Sequence, residues 1–271
     1  MHLKRWLTAL ALIPLIILVL LNGGRLGVVL AVLAINGLAQ WEFLGFFQQT
    51  VDLPRKVKVI TLGTLLLLSF CTLAAPQGQV APLLVLVCCL FTLFLFYLMS
   101  YGHIQELAWD LAISILGLVY IPLLLGHFIW LRYMPQGEWW ILWLLAVICS
   151  GDTAAYYTGK TLGRRKFYPQ VSPGKTWAGT FGGLAANLVV GVFGGRLLLP
   201  EEKTFSLALV AVILGCIGVL GDLFESMLKR QAQVKDASSL LPGHGGVLDR
   251  LDSLLFTAPA LVYARLFILN M

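Results

Sequence analysis

The chain has 271 residues, of which 59% are hydrophobic and only 12% are charged, and its mean hydropathy is +0.88. Soluble domains carry about 25% charged residues, so this composition excludes a water-soluble globular protein. Five cysteines in a chain of this length are too sparse for a secreted disulfide scaffold. The apolar residues come in long blocks, which predicts an all-α integral membrane protein.

Nine blocks are long and apolar enough to cross a bilayer. A spanning helix needs about 20 mostly apolar residues, because its backbone polar groups must be satisfied within the helix. The first block follows Lys4 and Arg5 but shows no small-residue cleavage site, so we expect it to be retained rather than removed as a signal peptide. The predicted spans are 6–22, 26–48, 57–75, 80–99, 108–128, 139–157, 176–198, 204–225 and 253–269.

The distribution of Lys and Arg predicts the orientation of these spans. Short loops rich in the two residues stay in the cytoplasm. With nine spans and a cytoplasmic N-terminus, fourteen of the nineteen Lys and Arg residues lie on the cytoplasmic side. This excess accounts for the net charge of +6, so we expect a multi-pass protein whose partners include membrane lipid and no nucleic acid.

Two long polar loops on the predicted cytoplasmic side, 158–175 and 226–252, are candidates for a functional site. We therefore divide the chain into two regions. Residues 1–130 hold spans one to five, and residues 131–271 form a C-terminal catalytic region with spans six to nine and both loops.

The first loop ends in Ser172-Pro173, a pattern typical of a helix start. Lys175 would then stand with uncapped N–H groups at a positive helix end, where an anionic group such as a phosphate can bind. The alternative is a capped membrane helix with a lysine at the membrane surface. Small residues of the following span predict close helix packing, and they are Gly179, Gly183, Gly191 and Gly195.

Acidic residues stand at the ends of the two spans that flank the second loop. Asp222 lies near the end of span eight, with Glu225 and Ser226 on the same helical face, and Asp249 and Asp252 lie three residues apart at the entrance to span nine. If the two groups converge, their oxygens can hold a divalent cation and nearby bases can hold phosphates. Interfacial salt bridges are the alternative. The interleaved bases are Lys229, Arg230, Lys235 and Arg250.

Two further polar residues lie outside these acidic groups. His244 lies between Pro242-Gly243 and Gly245-Gly246, where the backbone has unusual freedom, so its side chain can reach a ligand. An ordinary polar contact is the alternative for a lone loop histidine, and zinc would need a second His or a nearby Cys. Asp110 is expected to have an intramembrane partner.

These residues resemble the signature of the phosphatidate cytidylyltransferase (CDP-diacylglycerol synthase) family, which is specific because many polar positions are fixed within 27 residues. This family usually has the pattern Ser-Pro-x-Lys-Thr-x-Glu-Gly, and here Ala178 replaces the Glu. The difference leaves room for reduced activity or an altered lipid preference. The matching positions are Asp152, Tyr156, Gly159, Ser172-Pro173, Lys175-Thr176, Gly179, Ser226, Lys229-Arg230, Lys235-Asp236, Ser238, Leu241-Pro242, His244-Gly245-Gly246, Asp249-Arg250 and Asp252.

The resemblance implies transfer of the cytidylyl group of CTP to phosphatidate with Mg²⁺, on the cytoplasmic side of a bacterial inner membrane. It leaves open a second, monovalent cation and is compatible with a homodimer. By matching positions, Asp222 and Asp249 are expected to bind the metal, with Asp252 or Asp236 as lesser candidates. The other residues expected at the catalytic centre are Lys229, Arg230, Lys235, Arg250 and His244. The residues expected to bind substrate are Ser172, Lys175, Thr176, Ser226, Asp236, Gly245 and Gly246.

Two other functions stay open. The first is a CTP-dependent transferase acting on a different lipid phosphate, which stays open because Ala178 replaces the usual Glu. A transporter or channel would use intramembrane acids such as Asp110 and Asp222, but most acids cluster in the cytoplasmic loops and no convincing internal repeat is visible. A family member without catalysis is disfavoured by the intact Asp222, Asp249 and Asp252.

Overall fold

A computed structural model describes most of the chain and is helical apart from one short hairpin. The described residues are 14–47, 51–74, 78–238, 240 and 245–269. The helices are α1 (Gly24–Phe46), α2 (Leu53–Ser69), α3 (Ala81–Met99), α4 (Leu107–Leu118), α5 (Leu124–Tyr133), α6 (Gly137–Leu162), α7 (Trp177–Leu198), α8 (Thr204–Gln231) and α9 (Asp252–Phe267). The strands are β1 (Lys166–Tyr168) and β2 (Ser172–Thr176).

Seven helical segments of the described chain are long and apolar enough to cross a membrane. They coincide with predicted spans two to eight. Predicted span five corresponds to the continuous segment Leu107–Tyr133, in which the π-helical Val119–Leu123 joins α4 to α5. Predicted span nine corresponds to α9, which has 16 residues. Predicted span one falls partly outside the described residues, and its remainder, 14–22, is helical.

The chain divides into two compact units. Unit 1 comprises Met1–Pro135 together with Asp236–Asp249, and unit 2 comprises Gln136–Lys235 together with Arg250–Met271. The stretch 236–249, called the signature segment below, therefore belongs to unit 1, although the chain on either side of it belongs to unit 2.

Unit 1 contains a buried polar network as well as an apolar core. Asp110 is fully buried on α4, where it forms an ion pair with Arg55 and accepts a hydrogen bond from Tyr97 Oη at 2.9 Å. Gln40 of α1 is also fully buried and donates to the carbonyl oxygen of Gly117 at 3.1 Å. The expected partner of Asp110 is thus an arginine at the start of α2.

Unit 2 is built on close contacts at the glycines of α7, which confirms that part of the prediction. A Cβ atom at Gly191 would lie 2.3 Å from the Cβ of Ala211 on α8, and one at Gly183 would lie 3.0 Å from the carbonyl oxygen of Gly151 on α6. Trp143 Nε1 donates to the Gly191 carbonyl at 2.9 Å. Small residues therefore bring the backbones of α6, α7 and α8 together.

The predicted helix start at Ser172-Pro173 is wrong. Ser172 is the first residue of β2, which pairs antiparallel with β1, and the chain stays extended through Thr176. Thr176 is the N-cap residue of α7, and its hydroxyl accepts from the Gly179 N–H at 3.1 Å. The prediction failed because a residue before proline favours extended backbone, which suits a strand as well as an N-cap.

Candidate active site

The last turns of α8 present a polar face in unit 2. Asp222 Oδ1 accepts from the Ser226 hydroxyl at 3.3 Å, and Lys229 Nζ lies 3.0 Å from Glu225 Oε1. Glu225 and Lys229 are buried, so their pairing satisfies charges that would otherwise be costly. The helix continues to Gln231, so its last turn includes Lys229 and Arg230, which had been assigned to a loop.

The β-hairpin contributes a cation to this face. Lys175 of β2 places its Nζ 2.8 Å from Asp222 Oδ2, and the same ammonium donates to the Val219 carbonyl at 3.4 Å. Arg230 Nε donates to the Val171 carbonyl at 3.3 Å, which holds the turn of the hairpin at the end of α8. The arrangement brings Lys175 of the first predicted loop next to Asp222, which was predicted near the end of span eight.

The N-terminus of α9 adds a carboxylate. A Cβ atom at Gly221 would lie 2.5 Å from the carbonyl oxygen of Asp252, so α8 and α9 are in backbone contact beside Asp222. Burial raises the pKa of the Asp252 carboxyl to about 7, and the nearby negative charges of Asp222 and Asp152 act in the same direction. We call Asp152, Asp222 and Asp252 the acidic cluster. Arg250 lies within electrostatic range of Asp152.

In unit 1, Asp249 organises the signature segment. Its Oδ2 accepts hydrogen bonds from the backbone N–H groups of Ala237 and Gly246, both at 2.8 Å. Gly245 has a φ of +78°, which is the left-handed region that favours glycine. The carboxylate of Asp249 is therefore held in place by the backbone at both ends of the segment.

Glu42 of α1 belongs to the same arrangement, and the sequence analysis missed it. Its carboxylate is buried and accepts from the Ser238 hydroxyl and from two backbone N–H groups of the signature segment. The signal that could have found it was available, because an acid inside an apolar span needs a partner. The partners themselves are about 200 residues away in sequence and follow no local pattern.

Several predicted residues occupy other positions. Thr176 is buried as the cap of α7, and Ser172 lies in β2. Lys235 in unit 2 and Asp236 in unit 1 are exposed. His244 lies outside the described residues.

The acidic cluster has the donor chemistry of a magnesium site. Carboxylate oxygens are the protein ligands that Mg²⁺ prefers, and a cation would relieve the mutual repulsion of Asp152, Asp222 and Asp252. In the described part of the chain, no three Asp, Glu, His or Cys side chains already form a metal-binding group. Lys175 occupies the cationic position beside Asp222 in this conformation.

An apolar cavity of about 340 Å³ lies beside the polar face in unit 2. The stripe Leu220, Leu223, Phe224 and Met227 of α8 forms one wall, and the hairpin and α9 form the others. Because the spacing of these residues is helical, the end of α8 has one polar and one apolar face. The hairpin contacts both faces, through Lys175 and through Val171.

Comparison with known proteins gives a consistent set of relatives. A family model described as the cytidylyltransferase family matches residues 3–268. A protein of Pseudomonas aeruginosa named phosphatidate cytidylyltransferase is 36% identical over 274 residues, with 97% of this chain and 96% of that protein covered. Its namesake in Bacillus subtilis is 33% identical, with 93% of each chain covered. The uncharacterized protein YnbB of Escherichia coli is 44% identical over 144 residues, 51% of this chain and 48% of its own length.

Proposed function

Because the chain belongs to the cytidylyltransferase family, as its signature residues predicted, we propose that it transfers the cytidylyl group of CTP to phosphatidate. An oxygen of the lipid phosphate attacks the α-phosphorus of CTP, the bond from that phosphorus to the oxygen of the β-phosphate breaks, and pyrophosphate leaves. The products are CDP-diacylglycerol and pyrophosphate. The two relatives covered over nearly their whole length and named for this activity support the assignment.

The observation that carries the proposal is the contact between Lys175 and Asp222 at the end of α8. The lipid phosphate monoester already carries about −1.5 to −2 charge at pH 7, so no activated Ser, Cys or His nucleophile is needed. The reaction instead needs in-line positioning and stabilisation of charge on the phosphates. Lys175 of the hairpin contacts α8, and the exposed Arg230 of α8 contacts the hairpin. The two side chains supply positive charge for that purpose.

Mg²⁺ is the proposed cofactor, and when bound it would neutralise charge on the triphosphate and the departing pyrophosphate. Asp222 and Asp252 of unit 2 are the proposed ligands from the acidic cluster. Asp249 of unit 1 stays a proposed ligand from the signature segment. Lys175 forms an ion pair with Asp222, and its ammonium would contact a substrate phosphate beside the bound metal. The monovalent cation stays a prediction.

We further propose nine spans, a cytoplasmic N-terminus and an active site on the cytoplasmic side of a bacterial inner membrane. The seven candidate spans and the bacterial relatives support a multi-pass membrane protein. The nine predicted spans would put fourteen of the nineteen Lys and Arg residues on the cytoplasmic side, which supports the orientation. An acyl chain of the substrate lies in the apolar cavity, so the lipid can react without leaving the bilayer. A homodimer stays a prediction.

The second candidate is a CTP-dependent transferase for another lipid phosphate, and the observation that favours it is Ala178. The first turn of α7 contains no acidic residue, whereas the family usually has a Glu at position 178. The site beside Lys175 would then bind the phosphate of a different lipid, and the cytidylyl transfer itself would be the same.

The test uses purified full-length protein in detergent with labelled CTP, phosphatidate and Mg²⁺. We expect lipid-dependent release of pyrophosphate, abolished by a chelator and by Asp222→Asn or Asp249→Asn, and retained by Glu201→Gln, which changes an exposed acid of unit 2. Release with another lipid phosphate but not with phosphatidate would favour the second candidate. Absence of release with every lipid phosphate would refute both.

A further inference from the structure

Glu42 lies on α1, far from the signature segment in sequence, yet it binds both ends of that segment. We propose that Glu42 is a positioning residue for the reaction, because it fixes the backbone that carries Asp249. The inference rests on the proposed function, in which Asp249 is a metal ligand, and it concerns contacts that lie entirely within unit 1.

Three hydrogen bonds define the contact. Glu42 Oε1 accepts from Ser238 Oγ at 2.6 Å and from the Val247 N–H at 3.0 Å, and Oε2 accepts from the Leu248 N–H at 2.8 Å. Only 6% of the Glu42 surface is exposed. Hydrogen bonds to an ionised acceptor are about twice as strong as those between neutral groups, so a buried carboxylate with three donors is a rigid attachment.

Asp249 ties the same two stretches of chain from within the segment. Its Oδ2 binds the N–H groups of Ala237 and Gly246, which are the neighbours of Ser238 and Val247. The two carboxylates therefore clamp the start of the segment to its end. Loosening the Glu42 contacts removes half of this clamp, and Asp249 loses the fixed backbone that orients it.

The packing around Gly246 shows how closely Glu42 fits the segment. A Cβ atom at Gly246 would lie 2.5 Å from Glu42 Oε2 and 2.8 Å from the Cβ of Ala237. A distance of 2.5 Å is too short for a real Cβ contact, so Glu42 and a larger residue at 246 cannot both keep their places. Glu42 thus gives a physical reason for the glycine at that signature position.

The direction of these contacts separates positioning from a general role in stability. Within the described part of the chain, the hydrogen bonds that Glu42 makes all go to the signature segment. Gln40, two residues earlier on α1, is also buried but donates to the Gly117 carbonyl on α4. The two side chains therefore tie one helix to different partners, which supplies a matched control.

The experiment compares Glu42→Gln with Gln40→Leu in full-length protein in detergent. Hydrogen–deuterium exchange of peptides covering 245–249 reports on the segment without depending on catalysis. We expect faster exchange there in Glu42→Gln. The Val247 and Leu248 N–H groups bind different oxygens of Glu42, and glutamine would replace one of these acceptors by an NH₂ donor. In Gln40→Leu we expect exchange as in the wild type. Ser238→Ala, which removes one of the three contacts, should give a smaller increase and guards against a Glu42 variant that does not fold.

Activity gives the second readout. We expect kcat/KM to fall about 10- to 100-fold in Glu42→Gln, as for residues that orient metal ligands, with a higher Mg²⁺ concentration at half-maximal rate. Gln40→Leu should lose thermal stability and keep its Mg²⁺ dependence. Unchanged exchange in Glu42→Gln and Ser238→Ala, or equal acceleration in Gln40→Leu, would overturn the inference. Faster exchange in Glu42→Gln in a protein whose wild type transfers no cytidylyl group would refute the proposed function and leave the clamp intact.

Discussion

The ammonium of Lys175 lies 2.8 Å from Oδ2 of Asp222, and this contact joins the β-hairpin to the polar face of α8. The two opposite charges compensate each other. The pair is partly exposed, so its contribution to stability is modest. We have proposed that Lys175 binds phosphate and that Asp222 binds Mg²⁺, and this contact holds the two groups side by side.

Replacing Lys175 tests its proposed role toward phosphate. Lys175→Gln should lower kcat by about 100-fold or more, the usual cost of removing one charged or hydrogen-bonding group that stabilises a transition state. Lys175→Arg should retain part of the activity because the charge remains. Steady-state rates with labelled CTP check this, and Lys160→Gln, an exposed residue at the end of α6, is the control. Equal losses in Lys175→Gln and Lys160→Gln would contradict the assignment.

Removing a charge from the acidic cluster should stabilise the metal-free protein and inactivate it. Burial and the charges of Asp222 and Asp152 oppose ionisation of Asp252, so Asp252→Asn relieves repulsion. We expect its melting temperature in chelator to rise by about 2–4 °C for each kcal/mol gained. Adding Mg²⁺ should stabilise the wild type, because a ligand of the folded state shifts unfolding, and should stabilise the variant less. An equal response to Mg²⁺ in both proteins would exclude Asp252 as a ligand.

Gly246→Ala should disrupt the contact between Glu42 and the signature segment through a change that is made in the segment and not in Glu42. The added methyl group would lie 2.5 Å from Glu42 Oε2, so we expect activity to fall at least tenfold, within the range known for residues that orient ligands. Because both changes break one contact, the effects of Gly246→Ala and Glu42→Gln should not add. Gly37→Ala is the control, since its Cβ meets nothing within 4 Å and alanine favours helix by about 1 kcal/mol. Additive losses of activity in the double variant would show that the two residues act independently, and this would contradict the prediction.

Filling the apolar cavity should change lipid preference. Leu220→Trp places a large ring in the wall of the 340 Å³ cavity, so we expect discrimination against long-chain phosphatidate relative to a short-chain analogue to rise about tenfold or more. The KM for CTP should stay the same. Ratios of kcat/KM for the two lipids measure the effect, and Leu209→Trp, on α8 outside the cavity lining, is the control. If the ratio of kcat/KM for the two lipids is the same in Leu220→Trp and the wild type, the acyl chain does not bind in this cavity.

The seven segments of the described chain that are long and apolar enough to cross a membrane were predictable, because hydrophobicity and length decide them locally. The predicted span 204–225 begins at the same residue as α8 but ends six residues before it. Hydropathy did not predict the last turns of α8, because they contain the charged residues Glu225 and Lys229, which are buried as a pair. The hydropathy pattern locates the apolar part of a helix, whereas its polar end could have been recognised from the i, i+4 spacing of Glu225 and Lys229.

The hairpin and Glu42 were missed for different reasons. β1 has three residues and β2 contains Pro173 and Gly174, so neither strand carries the alternating pattern that identifies sheets. Glu42 was visible as an acid in an apolar span, but its partners Ser238 and Val247 are brought to it only by the fold. The signature predicts site residues in the second loop and gives no information on which side chains hold that loop in place.

The return of the signature segment to unit 1 has a practical consequence for cutting this protein into pieces. A fragment that starts after Pro135 would keep every residue of the family signature and still lack α1, the source of the Glu42 carboxylate. Its Ser238, Val247 and Leu248 donors would lack the Glu42 acceptor, so we expect the signature segment of this fragment to be less ordered than in the whole chain. Reconstitution would require the N-terminal helices to be supplied in trans.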